Sequence, residues 1–198
     1  VYNKLKYYAL IPGIHSECLC LLPRPEPAIR ERKPRQAPLA AAAVPMGKVI
    51  AVCISDRKGI CKTQVPELLV RVGHGIEGDA HAGNWHRQVS LLATESVEPM
   101  RQKLPDIPIG AFAENILTEG IDLKSLPVGS VLRVGETVLA VTQIGKECHA
   151  ACAIRKAVGD CVMPREGIFT IVLRGGTIRP GDTVESIQYP ETFMERTD

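Results

Sequence analysis

From residue 46 onward, short apolar runs alternate with polar turns that carry glycine or proline, and the runs are too brief for helices. Lys48–Ser55 (KVIAVCIS) predicts a buried strand, closed by the turn Asp56-Arg-Lys-Gly59. Glu67–Val72, Gln88–Ala93, Asn115–Leu117, Val131–Val134, Thr137–Thr142, Gly167–Leu173 and Val184–Gln188 read the same way, rich in β-branched residues and bounded by breakers. Gly135-Glu136 predicts the turn of a two-residue hairpin, and Gly175-Gly176 the end of the Gly167–Leu173 strand. Leu126-Pro-Val-Gly-Ser-Val-Leu132 resembles Ile178-Arg-Pro-Gly-Asp-Thr-Val184, each a Pro/Gly turn feeding a β-rich run. Only two stretches suit a helix. One starts between Thr94 and Ser96, where Pro99 fits only in the first turn. The other runs from Ala150, with Ala151, Ile154 and Val158 at helical spacing and Gly159 at the C-cap position. Many short strands with two modest helices predict a mainly β protein, a barrel rather than a doubly wound sheet.

Residues 1–45 break this pattern. Seven prolines, a basic cluster from Arg30 to Arg35 and a run of four alanines sustain no period. Pro12, His15 and Glu17 interrupt the one apolar stretch, a poor match to a secretory signal, and serines are few for a transit peptide. We expect 1–45 to be a disordered N-terminal extension, with Met46 well placed as an initiator, and 189–198 to be a frayed tail.

The 198 residues carry a net charge of +2, unevenly spread: seven bases and three acids fall within 1–45, so the remainder is slightly acidic. A body without a basic stripe argues against nucleic acid as partner. No apolar run approaches the roughly 20 residues of a spanning helix, which predicts no membrane partner. Aromatics make up only 4% of the chain, leaving Val, Ile, Leu and Ala to fill the core. Seven cysteines without framework spacing read as thiols of a reducing, cytoplasmic compartment.

Chemistry concentrates in two places. Cys148 falls where the period changes from strand to helix, a position that lowers a thiol's pKa through unpaired backbone N–H groups and the helix dipole. Lys146 and His149 add to that effect and Glu147 opposes it; the alternative is a small buried cysteine. Cys148 and Cys152 lie one helical turn apart, the spacing of a redox pair, and with Cys161, His81 and His86 they offer zinc ligands without a second matching pair. Cys53, inside an apolar strand, reads as core. The second place is Gly73–Arg87, with four glycines and three of the five histidines. Glycines let backbone N–H groups approach an anion, and His81, His86 and Arg87 complement phosphate or an oxyanion. A surface loop whose Asp79 and His81 bond the local backbone is the competing reading. No Walker loop, GxGxxG or GxSxG is present, and Asp79, Glu114 and Glu119 form no recognisable acid/base pair.

Gly75-Ile-Glu-Gly-Asp-Ala-His81, His86-Arg-Gln-Val-Ser-Leu-Leu92, Gly110-Ala-Phe-Ala-Glu-Asn-Ile-Leu-Thr-Glu-Gly-Ile-Asp122 and Thr142–Cys148, in this order, resemble the MOSC domain, named for the C-terminal part of molybdenum cofactor sulfurase. The likeness spans 46–188. It implies a mixed β-barrel with a few peripheral helices and a part in molybdenum cofactor metabolism. Within it, Cys148 matches the cysteine expected to carry sulfur as a persulfide or to face the metal. The same likeness points to His81, His86, Arg87, Gln88, Asn115, Lys146 and Arg155 as cofactor-binding residues. The family's usual Arg-x-Pro-Cys lead-in is here Gly145-Lys-Glu-Cys148, leaving Lys146 or Arg155 to supply the missing charge. The resemblance implies molybdopterin as cofactor and a cysteine desulfurase or molybdenum-cofactor enzyme as partner. These 198 residues are expected to bind no pyridoxal phosphate themselves. It leaves three activities open: a sulfur carrier or sulfurtransferase, an oxidoreductase with Cys148 as molybdenum ligand, and a non-enzymatic cofactor chaperone.

Overall fold

A computed structural model describes residues 46–147, 155 and 159–187, so the segment 1–45, the tail, and most of the expected Ala150–Val158 helix with Cys148 lie outside the described residues. The described chain has eleven strands: β1 (Met46–Ile54), β2 (Thr63–Val65), β3 (Leu68–Arg71), β4 (Gly75–Ile76), β5 (Val89–Ala93), β6 (Ile116–Glu119), β7 (Val131–Val134), β8 (Thr137–Ile144), β9 (Ile168–Arg174), β10 (Gly176–Ile178) and β11 (Thr183–Ile187). Two α-helices, α1 (Thr94–Lys103) and the short α2 (Met163–Glu166), and a 3-10 turn at Leu123–Ser125 complete it.

Seven strands close on themselves in the order β1-β11-β7-β8-β9-β5-β6, with β6 returning to β1 and β2 extending the far end of β1. Only the β5–β6 pair is parallel, because α1 crosses between them; every other neighbour runs antiparallel. This is the barrel that the strand count predicts, and mixed as the resemblance implies. A separate sheet of order β10-β3-β4 is its small companion.

Alternation sorts the side chains into two clusters. All seven barrel strands contribute to the first, among them Val49, Leu91, Ile116, Leu132, Leu139, Ile168 and Val184. Their neighbours Leu92 and Leu117 point the other way and meet Val97 and Met100 of α1 and Met163 of α2. Burial on both faces explains why β5 (VSLLA) reads as a continuous apolar run.

The paired Pro/Gly turns are structurally equivalent. Ser130 N donates to Pro127 O (3.0 Å) and Asp182 N to Arg179 O (3.1 Å), with Gly129 and Gly181 at φ 94° and 97° in the third turn position, where glycine alone is unstrained. Gly129 N and Ser130 O then bracket Val141 of β8, as Gly181 N and Asp182 O bracket Val49 of β1, each bond 2.8 Å.

Three details differ from the sequence reading. α1 begins at Thr94, which puts Pro99 in its second turn rather than its first; the hold of Val97 and Met100 on the barrel offsets the lost helical bond. β9 stops at Arg174, as the glycines predict, but Gly176 at once starts a further strand, β10, absent from the sequence reading. The glycine loop is not all loop, because Gly75–Ile76 pair with β3. Such two- and three-residue strands are set by the neighbours they meet and carry no period of their own. No helix among the described residues is long and apolar enough to cross a membrane.

Candidate functional site

The loops at one end of the barrel rest on a buried ion pair. Lys62, just before β2, and Asp79, after β4, have side chains 0% and 1% exposed and bond Nζ to Oδ2. The same Oδ2 accepts from Ser55 N (3.2 Å) and Asn115 Nδ2 (3.1 Å), and Oδ1 from the backbone N of His81 (2.9 Å). Burial alone would push the Asp79 carboxyl up, but its bonds from His81 and Lys62 outweigh that and hold it below the ordinary carboxylate range. Burial lowers the Lys62 ammonium from its ordinary value, and Asp79 opposes the change.

Asn115 and Gln88 are committed to this frame. Asn115 Nδ2 also donates to Cys53 O (3.0 Å), and its Oδ1 accepts from Ser90 N (3.2 Å) and Ser90 Oγ (2.9 Å). Gln88 Oε1 takes the N–H of Val172 (2.9 Å). The preceding turn puts Ala113 at φ 64°, a left-handed conformation an alanine keeps only when its surroundings impose it. Here Glu114, itself buried, accepts from Gly110 N (2.6 Å) and Phe112 N (3.0 Å); burial pushes its carboxyl up. Cys53 lies in β1 with a thiol pushed up to about 12 by burial, the inert core cysteine its strand predicts.

Above the frame the cationic groups gather. Trp85 Nε1 donates to His81 O (2.8 Å), and the Trp85 ring meets the Arg87 guanidinium 4.8 Å from its centroid. The same guanidinium lies 5.7 Å from the Phe169 centroid, and Lys146 Nζ is 5.8 Å from that ring. His86 Nε2 faces Gln143 Oε1 at 3.0 Å, while Gln143 Nε2 donates to Gly145 O (2.6 Å). Gln143 thus turns its oxygen to His86, which makes Nε2 the donor. The Thr142 hydroxyl lies against His86 O and Phe169 O, tying loop to barrel.

Gly145 fixes how the chain leaves β8 toward Cys148. Its N donates to Gly167 O (2.7 Å), it has φ 68°, and a Cβ there would stand 2.1 Å from Pro164 O. Only glycine lets β8 end this close to α2.

Elsewhere several exposed cations are matched: Arg165 is bidentate to Asp160 (2.6 and 2.9 Å), Arg133 meets Glu185, Arg179 meets Glu67 and Lys124 meets Glu166. Hydrogen bonds from Arg165 hold the Asp160 carboxyl down at about 2. Arg87 and Lys146 have no carboxylate partner among the described residues, and Arg87 Nε is buried without a hydrogen bond. Unneutralised cations and an orphaned donor are the groups that would complement an anion.

A family model for the MOSC domain matches residues 78–185. The chain belongs to the MOSC domain family. Solved structures similar to this MOSC protein include the YuaD protein from Bacillus subtilis, with 22% identity over 73% of this chain and 97% of that one (TM-score 0.58). YiiM from Geobacillus stearothermophilus is 19% identical over 73% and 76% (TM-score 0.56), and YiiM from Escherichia coli 19% over 74% and 70% (TM-score 0.53). At these identities the likeness is one of fold. No curated protein sequence matches the chain.

Of the residues singled out from sequence, His81, His86, Arg87 and Lys146 are linked here through Trp85, Gln143 and Phe169. Arg155 is exposed and lines a cavity of about 390 Å³ with Glu147, Asp160, Cys161 and Arg165. Among the described residues no three His, Cys, Asp or Glu side chains group to hold a metal. Sequence reasoning missed Lys62, Gln143 and Phe169, and missed Trp85 as a platform. The aromatic pair had a signal: one tryptophan and three phenylalanines in 198 residues, with the tryptophan inside the histidine loop. Lys62 had none, because its partner is 17 residues away and a lysine after a turn reads as solvated.

Proposed function

We propose that this MOSC-domain protein binds an anionic pterin–metal cofactor against His81, His86, Arg87 and Lys146 and carries sulfur to it on Cys148. The observation that carries this reading is the convergence of Arg87 and Lys146 on Phe169, with neither cation neutralised by a carboxylate of the described chain. The residues suit the group: the unpaired Arg87 Nε is a donor in want of an oxyanion, and His81 and His86 precede it on the same loop. When bound, the cofactor supplies the anionic groups to be recognised and the acceptor for sulfur. Gln88 and Asn115 act through the frame, holding the strands from which His86, Arg87 and the 110–114 turn project.

Cys148 follows Lys146 by two residues, and two residues of extended chain span at most about 7 Å. The Cys148 Cα is therefore held by the chain within that distance of the Lys146 Cα. In the proposed step the Cys148 thiolate attacks the outer sulfur of a donor persulfide, R–S–SH. A new S–S bond forms on Cys148, the donor's bond breaks, and R–S⁻ leaves, with no net oxidation. Positive charge nearby favours the attacking thiolate. A cysteine desulfurase suits the donor's chemistry, and a molybdenum-cofactor enzyme the acceptor's.

Metal and pterin analysis of natively purified protein, wild type beside Cys148→Ser, tests the reading. A carrier that binds cofactor transiently is expected to come out nearly colourless and metal-poor in both forms. Stoichiometric molybdenum in the wild type that disappears from Cys148→Ser would instead make the thiol a metal ligand and overturn the carrier role.

A further inference from the structure

The pair beneath the cationic face also bears on His81. A buried ammonium offers three N–H donors, and among the described residues Lys62 Nζ meets two acceptors, Asp79 Oδ2 and His81 Nδ1, the latter at 3.4 Å. Of the two Asp79 oxygens, Oδ2 takes Lys62 Nζ, Ser55 N and Asn115 Nδ2, and Oδ1 takes His81 N. His81 Nδ1 is also 3.4 Å from Asp79 Oδ1, so two arrangements compete. With the proton on Nδ1, Oδ1 gains a second donor, but the imidazole N–H confronts the ammonium hydrogens and Lys62 loses an acceptor. With the proton on Nε2, the Nδ1 lone pair accepts a second Lys62 N–H. The second arrangement costs no buried polar group its partner, and it wins.

We propose that Lys62 is a positioning residue that sets the His81 tautomer, with the ring proton on Nε2, so that the ring offers the bound anion a hydrogen-bond donor. The His81 backbone is pinned by its N–H to Asp79 and by Trp85 Nε1 at its carbonyl, and its side chain is 26% exposed while Lys62 and Asp79 are sealed. His81 is the member of the triad that reaches a ligand. Arg87 and Lys146 then supply charge, and His81 supplies direction, choosing an acceptor oxygen rather than any anion. This inference rests on the proposed function for the identity of the anion; the tautomer itself does not.

The test is ¹H–¹⁵N correlation on the ligand-free full chain with labelled histidine at neutral pH, the His81 signals assigned with His81→Gln. The expected result is a protonated Nε2 and an unprotonated Nδ1 in the wild type, moving to a protonated Nδ1 facing Asp79 in Lys62→Met. A folded Lys62→Met with His81 unchanged, or a wild type protonated at Nδ1, overturns the proposal. Should Lys62→Met not fold, the wild type decides through scalar coupling across the Lys62 Nζ–H···Nδ1 bond: its presence supports the proposal and its absence sinks it. Inorganic phosphate, titrated into the same sample, is expected to shift the His81 Nε2–H resonance. The correct tautomer with no such shift would reject His81 as a ligand contact while leaving the role of Lys62 standing.

Discussion

Replacing Asp79 by alanine is expected to destabilise the protein by about 3–5 kcal/mol, the range for stranding one member of a buried ion pair. Lys62 would keep a fully buried ammonium with no counter-charge, and Ser55 N and Asn115 Nδ2 would lose an acceptor. Asp79→Asn, which keeps the volume, should lose nearly as much, because the deficit is charge. The double variant Lys62→Met/Asp79→Leu should recover most of it, since apolar residues fill such a space without stranded charge. Denaturant unfolding of wild type, Lys62→Met, Asp79→Leu and the double variant closes the cycle, with Asp79→Ala and Asp79→Asn measured beside them. The pair also sets a pH dependence. The folded Asp79 carboxyl sits below the ordinary aspartate value of about 3.9, so its contribution is complete above that value. It is lost as pH falls through the lower folded value. Wild-type stability should therefore decline below about pH 4, and the Asp79 variants should lack that part of the decline.

Arg87→Ala is expected to weaken binding of inorganic phosphate, standing in for the cofactor's phosphate, by about 10- to 100-fold, the worth of one charge-assisted hydrogen bond. The stability cost should be small by comparison, because each ring contact is worth about 0.5–1 kcal/mol at a partly exposed site. Arg87→Lys should not restore affinity: an ammonium has no flat face to lie against Trp85 and Phe169 and no fork of donors to aim from it. Calorimetric titration at low and high salt separates direct bonding from long-range attraction, which screening removes first. Equal affinity in wild type and Arg87→Ala would show that the orphaned guanidinium is not the anion's receptor.

The barrel was legible because its strands carry their own signals. KVIAVCIS, QVSLLA and GIFTIVL are apolar enough to be strands wherever they fall, and the Pro/Gly turns mark where the chain reverses. β2, β4 and β10 were not legible, since two or three residues hold no period and exist as strands only beside their partners. Within the site, the His and Arg of the glycine loop stood out by residue type, and Lys146 by its place beside Cys148. What sequence could not give is pairing across the barrel. Lys62 finds Asp79, His86 finds Gln143 57 positions on, and Arg87 and Lys146 share a ring on β9. Each partner is chosen by strand order, which periodicity does not encode. The reverse held for Gln88 and Asn115, whose amides look like ligand contacts in sequence and hold backbone in the fold.

The most direct measurement is made on one peptide. Reduced protein is incubated with a cysteine desulfurase and cysteine, digested without reductant, and the peptide containing Cys148 is weighed by mass spectrometry. Sulfur transfer through this residue predicts a gain of one sulfur atom on Cys148 in wild type, weakened when Arg87 and Lys146 are neutralised. An unmodified Cys148 under conditions where the desulfurase itself carries sulfur would contradict it.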